Sequence, residues 1–175
     1  MRRLILLLTS VLTAAVASVL CLTAAPSAGA ATAVASVPPV PPVIDGMTIN
    51  HLPSGLGTSS DFAYEFDDVR FVSRDWESRT DEGWRVDLSI DVLRGDRLST
   101  PAALHDWVIA YEERPPAEAV YHRTTVRGHA AWRCADEVFW LVRPGVAMVV
   151  RLDTSRWSQH ELTRTARGIS VAATA

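Results

Sequence analysis

The chain has 175 residues, a formal net charge of −3 at pH 7 and a mean hydropathy of +0.10. Its basic residues are all arginine, and loss of Arg2 and Arg3 with a cleaved leader would lower the net charge from −3 to −5. This length predicts a single folded domain, and the acidic balance argues against nucleic acid as a partner.

Residues 1–30 have the pattern of a signal peptide. Arg2 and Arg3 form a positive start, residues 4–22 are uncharged and apolar, and an A-x-A match for signal peptidase ends at Ala30. A second match ends at Ala33. We therefore expect a secreted, extracytoplasmic protein. If the leader is not cleaved, residues 4–22 are instead expected to anchor the chain in a membrane.

A linker rich in alanine and proline is predicted at residues 31–44, followed by one domain at residues 45–172. The run Pro38-Pro39-Val40-Pro41-Pro42 favours an extended polyproline conformation, which cannot contribute to a packed core.

Alternation of apolar and polar residues predicts strands in the first half of this domain. The clearest strand begins at Trp84, with one face for the core (Trp84, Val86, Leu88, Ile90 and Val92) and one for solvent (Arg85, Asp87, Ser89 and Asp91). The other predicted strands in this half are Met47–Leu52, Phe62–Phe66 and Val69–Trp76.

A first helix is predicted after Thr100, which can cap it, with Pro101 in the first turn. Its apolar face consists of Leu104, Trp107, Val108 and Tyr111, at helical spacing. Four short strands follow, at Val120–Val126, Ala130–Ala135, Val138–Val142 and Val146–Leu152. The last two are almost entirely apolar, so we expect them to be central and covered on both faces.

A second helix is predicted near the C-terminus. Ser158 and Glu161 have the spacing of a capping box, and Trp157 and Leu162 that of a hydrophobic staple. The apolar stripe of this helix is Leu162, Ala166 and Ile169. The order of strands, helix, strands and C-terminal helix predicts an α+β domain, in which both helices pack on an antiparallel sheet.

One part of the sequence resembles a known class of domain. The residues that carry the resemblance are Thr125–Trp132, Val138-Phe139-Trp140, Val146–Arg151 and the serine-capped segment at Ser158–Leu162. Together they are similar to small extracytoplasmic domains of unknown function in bacterial secreted proteins and lipoproteins. The resemblance implies export and an α+β fold, and it implies no catalytic residues.

The residues that could carry chemistry are scattered, and we expect no cofactor and no metal site. The five histidines form no zinc motif, although His122 and His129 flank one predicted hairpin and could approach each other. Cys134, with His129 as its base, could act as a nucleophile, but a small buried hydrophobe is the preferred interpretation. An acidic group that begins at Asp61 could bind calcium, but a solvated strand face is preferred (Asp61, Glu65, Asp67 and Asp68).

Six tryptophans are many for this length, and three of them have no assigned place in the core: Trp76, Trp132 and Trp140. If exposed on the sheet, they could stack on sugars or apolar groups, so they are the candidate ligand-binding residues. A place in the core is the preferred interpretation for tryptophans in general. The sequence thus favours a secreted, non-catalytic binding or interaction domain whose partner is a protein or a cell-wall glycan. The alternative is a small secreted hydrolase whose residues converge only in the fold.

Overall fold

The computed structural model describes residues 40–115 and 117–173. The predicted leader and most of the predicted linker lie outside these residues. Within them the chain forms two helices and ten strands, which confirms the predicted α+β class. The elements are β1 (Val43–Ile44), β2 (Met47–Ile49), β3 (Thr58–Phe66), β4 (Val69–Thr80), β5 (Gly83–Arg94), α1 (Pro101–Glu112), β6 (His122–Val126), β7 (His129–Arg133), β8 (Glu137–Arg143), β9 (Val146–Leu152), α2 (Gln159–Arg167) and β10 (Ile169–Val171).

Seven of the strands form one antiparallel sheet in the order β3-β4-β5-β9-β8-β7-β6. Two meanders, β3-β4-β5 and β6-β7-β8-β9, are joined where β5 pairs with β9. The apolar strands β8 and β9 are therefore interior, as their sequences predict. A small second sheet has the order β1-β2-β10, so the first strand begins at Val43, two residues inside the predicted linker.

Both faces of the large sheet are covered, and each has its own apolar core. On one face, α1 buries Leu104, Trp107 and Val108 against Phe71 and Phe139. On the opposite face, α2 and the small sheet pack together. Their core includes Ile44, Met47, Ile49, Leu162, Ala166 and Ile169. The sheet is thus the middle layer of three.

The helix caps form where the sequence predicts them. Thr100 Oγ1 accepts a hydrogen bond from the Ala103 N–H at 3.1 Å, and Ser158 Oγ accepts one from the Glu161 N–H at 3.3 Å. The second half of the predicted capping box does not form, because the Glu161 carboxylate binds His51 instead. Helix α2 also ends before Ile169, which belongs to β10.

The prediction for β5 is wrong at its start. Trp84 is 62% exposed, and Val86 is exposed as well. The reason is that β5 pairs with β9 only from Leu88 onward, whereas β4 and β5 continue past it as a two-stranded hairpin. At Trp84 this hairpin has no third strand beside it, because β3 pairs with β4 only as far as Glu77, whereas Trp84 is paired with Arg79.

The face of β5 that was predicted to be exposed to solvent is buried. Asp87, Ser89 and Asp91 are all inaccessible or nearly so. They lie on the same face of the sheet as α1, where arginines reach them from β9 and from the segment before α2. Alternation with polar residues therefore marked a buried ionic layer and not a solvated face.

Candidate binding surface

The three tryptophans predicted to bind a ligand are inside the protein. Trp76, Trp132 and Trp140 are only 7%, 8% and 2% exposed. Trp76 and Trp140 belong to the core under α2, and Trp132 stacks on Phe139 in the core under α1, with ring centroids 5.6 Å apart. The prediction that they are exposed on the sheet is wrong, because both sheet faces are covered. Trp140 and Trp132 border cavities of 370 Å³ and 350 Å³, but with less than a tenth of each residue accessible they offer little surface for stacking.

A different set of aromatic residues is exposed, on the edge strand β3. Phe62, Tyr64 and Phe66 alternate along this strand and are 47%, 44% and 52% exposed. Alternate residues of a strand point to one face, so the three rings form a row. Tyr111 of α1, which is half-buried, continues the row, and the buried Trp107 stacks on Tyr111. We name these five residues the aromatic edge surface.

Ring contacts hold this surface in one arrangement. Tyr64 stacks on the buried Phe71 at 4.5 Å, and Phe66 meets Tyr111 edge-on at 5.3 Å. Tyr111 in turn stacks on Trp107 at 5.1 Å. These centroid distances lie in the range that aromatic pairs favour. The hydroxyls of Tyr64 and Tyr111 are hydrogen bonded at 2.9 Å, and burial together with this bond raises the pKa of Tyr64.

A concave site opens at one end of this surface. A cavity of 490 Å³ lies between β3 and α1 and is lined by Phe66, Asp67, Trp107, Ala110 and Tyr111. Ring faces and one carboxylate surround it. Such a site can accept an apolar side chain or stack against a flat apolar group, which is the chemistry expected of a binding surface.

A second, acidic pocket lies further along the same face of the sheet. Its volume is 440 Å³, and its lining includes Asp75, Asp87, Asp136, Arg151 and Asp153. Asp87 is fully buried and well satisfied. Arg156 and Ser78 donate to its carboxylate, and the Gly57 N–H donates at 3.0 Å. Burial raises the pKa of Asp87, but these hydrogen bonds outweigh burial and hold it below its usual value.

Arg151 is the centre of an ionic network behind this pocket. Its guanidinium contacts Asp91 at 2.9 Å, Glu137 at 2.7 Å and Glu112 at the end of α1. Burial raises the pKa values of Asp91 and Glu137 above their usual range, although Arg151 opposes this. Arg114 adds a second cation beside Glu137, at 3.3 Å. The network joins β5, β8, β9 and the end of α1, which is a structural role.

The cysteine and histidine candidates do not assemble as a nucleophile and base. Cys134 is buried, and its thiol donates to Asp136 at 3.2 Å. Burial raises the pKa of this thiol, so it remains protonated at neutral pH. His122 lines a 610 Å³ cavity with Cys134, but among the described residues no hydrogen bond joins the two. His129 lies at the opposite end of the β6–β7 hairpin from His122, so the two do not approach each other.

The acidic group that begins at Asp61 is a solvated strand and turn. Asp61 pairs with Arg74 at 2.5 Å, and Arg97 pairs with Asp67 at 3.0 Å and Asp68 at 3.6 Å. Within residues 40–115 and 117–173, no cluster of three or more His, Cys, Asp or Glu side chains has the geometry to hold a metal ion.

Comparison with known proteins gives no relative: no family model, curated protein or solved structure matches this chain. In the part of the chain that the structure describes, neither helix is long and apolar enough to cross a membrane. The assignment of the surface therefore depends on its own geometry. Sequence reasoning missed it, although aromatic residues at every second position from Phe62 to Phe66 were a visible signal.

Proposed function

We propose that this chain is a secreted, non-catalytic binding domain whose ligand contacts the aromatic edge surface. The single observation that supports this is the exposure of Phe62, Tyr64 and Phe66 in one row on an edge strand. Exposed single hydrophobic residues are common on proteins, but a contiguous aromatic row next to a concave site is typical of recognition surfaces.

The size of the row sets the strength of binding that it can support. Three rings of roughly 200 Å² each, about half exposed, leave on the order of 300 Å² to bury, worth about 7 kcal/mol before the costs of association. The unfavourable free energy of association offsets much of this gain from burial. The row thus suits reversible binding that is strengthened by polar contacts at its margin, not a permanent subunit interface.

Charge and export narrow the choice of partner. With the leader removed the chain carries a net charge of −5, and Asp61, Glu65, Asp67 and Asp68 lie on or beside β3. A neutral or basic partner outside the cytoplasm is favoured over an anionic one. The candidates are a protein segment with apolar side chains and a cell-wall glycan whose sugar rings stack on Phe66 and Tyr111.

Paired aromatic substitutions test this proposal. The double variant Phe62→Ser/Phe66→Ser removes two exposed rings that lie outside both apolar cores. Trp84→Ser is the matched control, because Trp84 is also an exposed aromatic residue but lies in the distant end of the β4–β5 hairpin. Binding is measured by titration calorimetry against chitin oligosaccharides and against peptides selected from a displayed library.

We expect the double variant to bind any selected ligand at least tenfold more weakly, and the control to bind like the parent protein. Unchanged melting temperatures would show that both variants are folded. If binding survives loss of both phenylalanines, or falls equally in the Trp84 variant, the aromatic edge surface is not the ligand site.

A further inference from the structure

The free edge of β3 offers a row of backbone hydrogen-bonding groups. In the described sheet β3 has β4 on one side and no strand on the other. Its pairing with β4 is regular over nine consecutive residue pairs, from Thr58 to Phe66. The usual devices that blunt an edge strand, such as a proline, a bulge or a very short length, are absent from β3.

The turn shows which backbone groups point outward. Asp67 and Asp68 both have positive φ and form a two-residue hairpin turn, which makes Phe66 and Val69 a hydrogen-bonded pair. Hydrogen-bonded pairs alternate along an antiparallel ladder, so the groups of Tyr64 and Phe62 also face β4. The outward N–H and C=O groups are those of Glu65, Ala63, Asp61 and Ser59.

The two faces of β3 differ in chemistry. One face carries the aromatic row, and the other carries Asp61 and Glu65, both exposed. Asp61 is paired with Arg74, whereas Glu65 makes no ion pair with another of the described residues. Arg70, the cross-strand neighbour of Glu65, binds Asp45 instead. A strand beside β3 would therefore meet rings on one face and, on the other, the Glu65 carboxylate and an Asp61 already bound to Arg74.

We propose that β3 binds an extended segment of a partner protein by strand addition, with apolar and basic side chains alternating along that segment. This inference rests on the proposed function and names its partner. Backbone groups of the segment pair with the outward groups of Glu65, Ala63 and Asp61, its apolar side chains lie over the aromatic row, and its basic ones face Asp61 and Glu65. A second copy of β3 is disfavoured because it brings like charges together on that face.

A defined peptide tests the proposal with the full-length protein. Acetyl-(Arg-Val)₄-amide is the probe, and acetyl-(Glu-Val)₄-amide has the same alternation with opposite charge. Ala63→Pro removes an outward N–H without removing a bond to β4. Thr125→Pro is its matched control, since β6 is the opposite sheet edge and the two-residue turn at Arg127-Gly128 leaves the Thr125 N–H outward as well.

We expect the Arg-Val peptide to bind and the Glu-Val peptide not to bind. Ala63→Pro should weaken binding at least tenfold, while Thr125→Pro stays within twofold of the parent. Glu65→Arg, at an exposed position, should reverse the preference between the two peptides. The Glu65→Arg variant keeps the test decisive if Ala63→Pro does not fold.

Other results separate the two proposals. If Phe62→Ser/Phe66→Ser abolishes peptide binding and folded Ala63→Pro does not, the aromatic edge surface stands and strand addition is wrong. If neither variant affects binding, both proposals fail. Self-association that rises with protein concentration and is removed by Ala63→Pro would show a second copy on the edge and overturn the partner assignment. Binding of chitin oligosaccharides alone, with no peptide bound, would overturn it as well.

Discussion

Replacement of Arg151 by leucine is expected to destabilise the fold by a defined amount. The substitution removes the cation that contacts three carboxylates, of which Asp91 and Glu137 are almost completely buried. Breaking a buried ion pair on one side costs about 3–5 kcal/mol. The Arg151 side chain is 28% exposed, so we take the lower value, about 3 kcal/mol. For a domain of this size that corresponds to a fall of about 10 °C in Tm.

The loss of stability in Arg151→Leu should depend on pH, and the two buried acids Asp91 and Glu137 determine whether it grows or shrinks as the pH rises. The pKa values of Asp91 and Glu137 are raised in the folded state, so the folded protein holds its protons to higher pH than the unfolded chain does. Stability from these groups is therefore fully present only below the pKa values of the unfolded chain, and it is lost as the pH rises from there through the folded pKa values. Loss of Arg151 raises both pKa values further and extends this fall in stability to higher pH. The Arg151→Leu defect should be largest at pH 7.5 and at most half as large at pH 4.5.

Thermal unfolding monitored by circular dichroism at pH 4.5, 6 and 7.5 measures both effects. Arg143→Leu is the matched control, because Arg143 is exposed at the end of β8 and makes no ion pair with the described residues. Its stability should change by no more than about 0.5 kcal/mol. A Tm for Arg151→Leu equal to that of the control, or a loss that is the same at all three pH values, would refute the account of a buried ionic network.

Three further predictions concern the fold and the leader. Leu162→Ala should lower the free energy of unfolding by about 2–5 kcal/mol, because Leu162 is fully buried. Ser158→Ala should lower it by about 1 kcal/mol through loss of the helix cap. Denaturant titration measures both losses, and equal losses would contradict the packing of α2. Gly57→Ala should unfold or strongly destabilise the protein, since its Cβ would lie 1.8 Å from the Glu77 carbonyl oxygen. A Tm within roughly 2 °C of the parent's, which is the scatter of surface variants, would contradict that close approach. N-terminal sequencing of protein from culture medium should begin at or near Ala31, and recovery of an intact leader in the membrane fraction would contradict cleavage.

Local signals predicted the starts of both helices and the interior position of two strands correctly. The caps at Thr100 and Ser158 depend on residues only three positions apart, so the sequence contains all that is needed to find them. The central place of β8 and β9 follows from composition, because strands without polar positions need cover on both faces.

Long-range pairing explains what the sequence did not reveal. Trp84 and Leu88 have the same alternation, and only the start of β9 pairing at Leu88 makes one exposed and the other buried. In the same way, nothing local shows that Phe62 lies on an edge strand while Trp132 lies under α1. Both facts depend on the strand order, which joins segments far apart in the chain.

Hydrogen–deuterium exchange with and without a bound ligand is the most direct test of the assignment of the binding surface. Amides of an edge strand exchange readily when free and become protected when a partner covers them. We predict that protection on binding concentrates at residues 58–66 and at the Trp107–Glu112 end of α1. Protection at the acidic pocket, around Asp75, Asp87 and Asp153, with β3 unchanged would contradict the proposed binding surface.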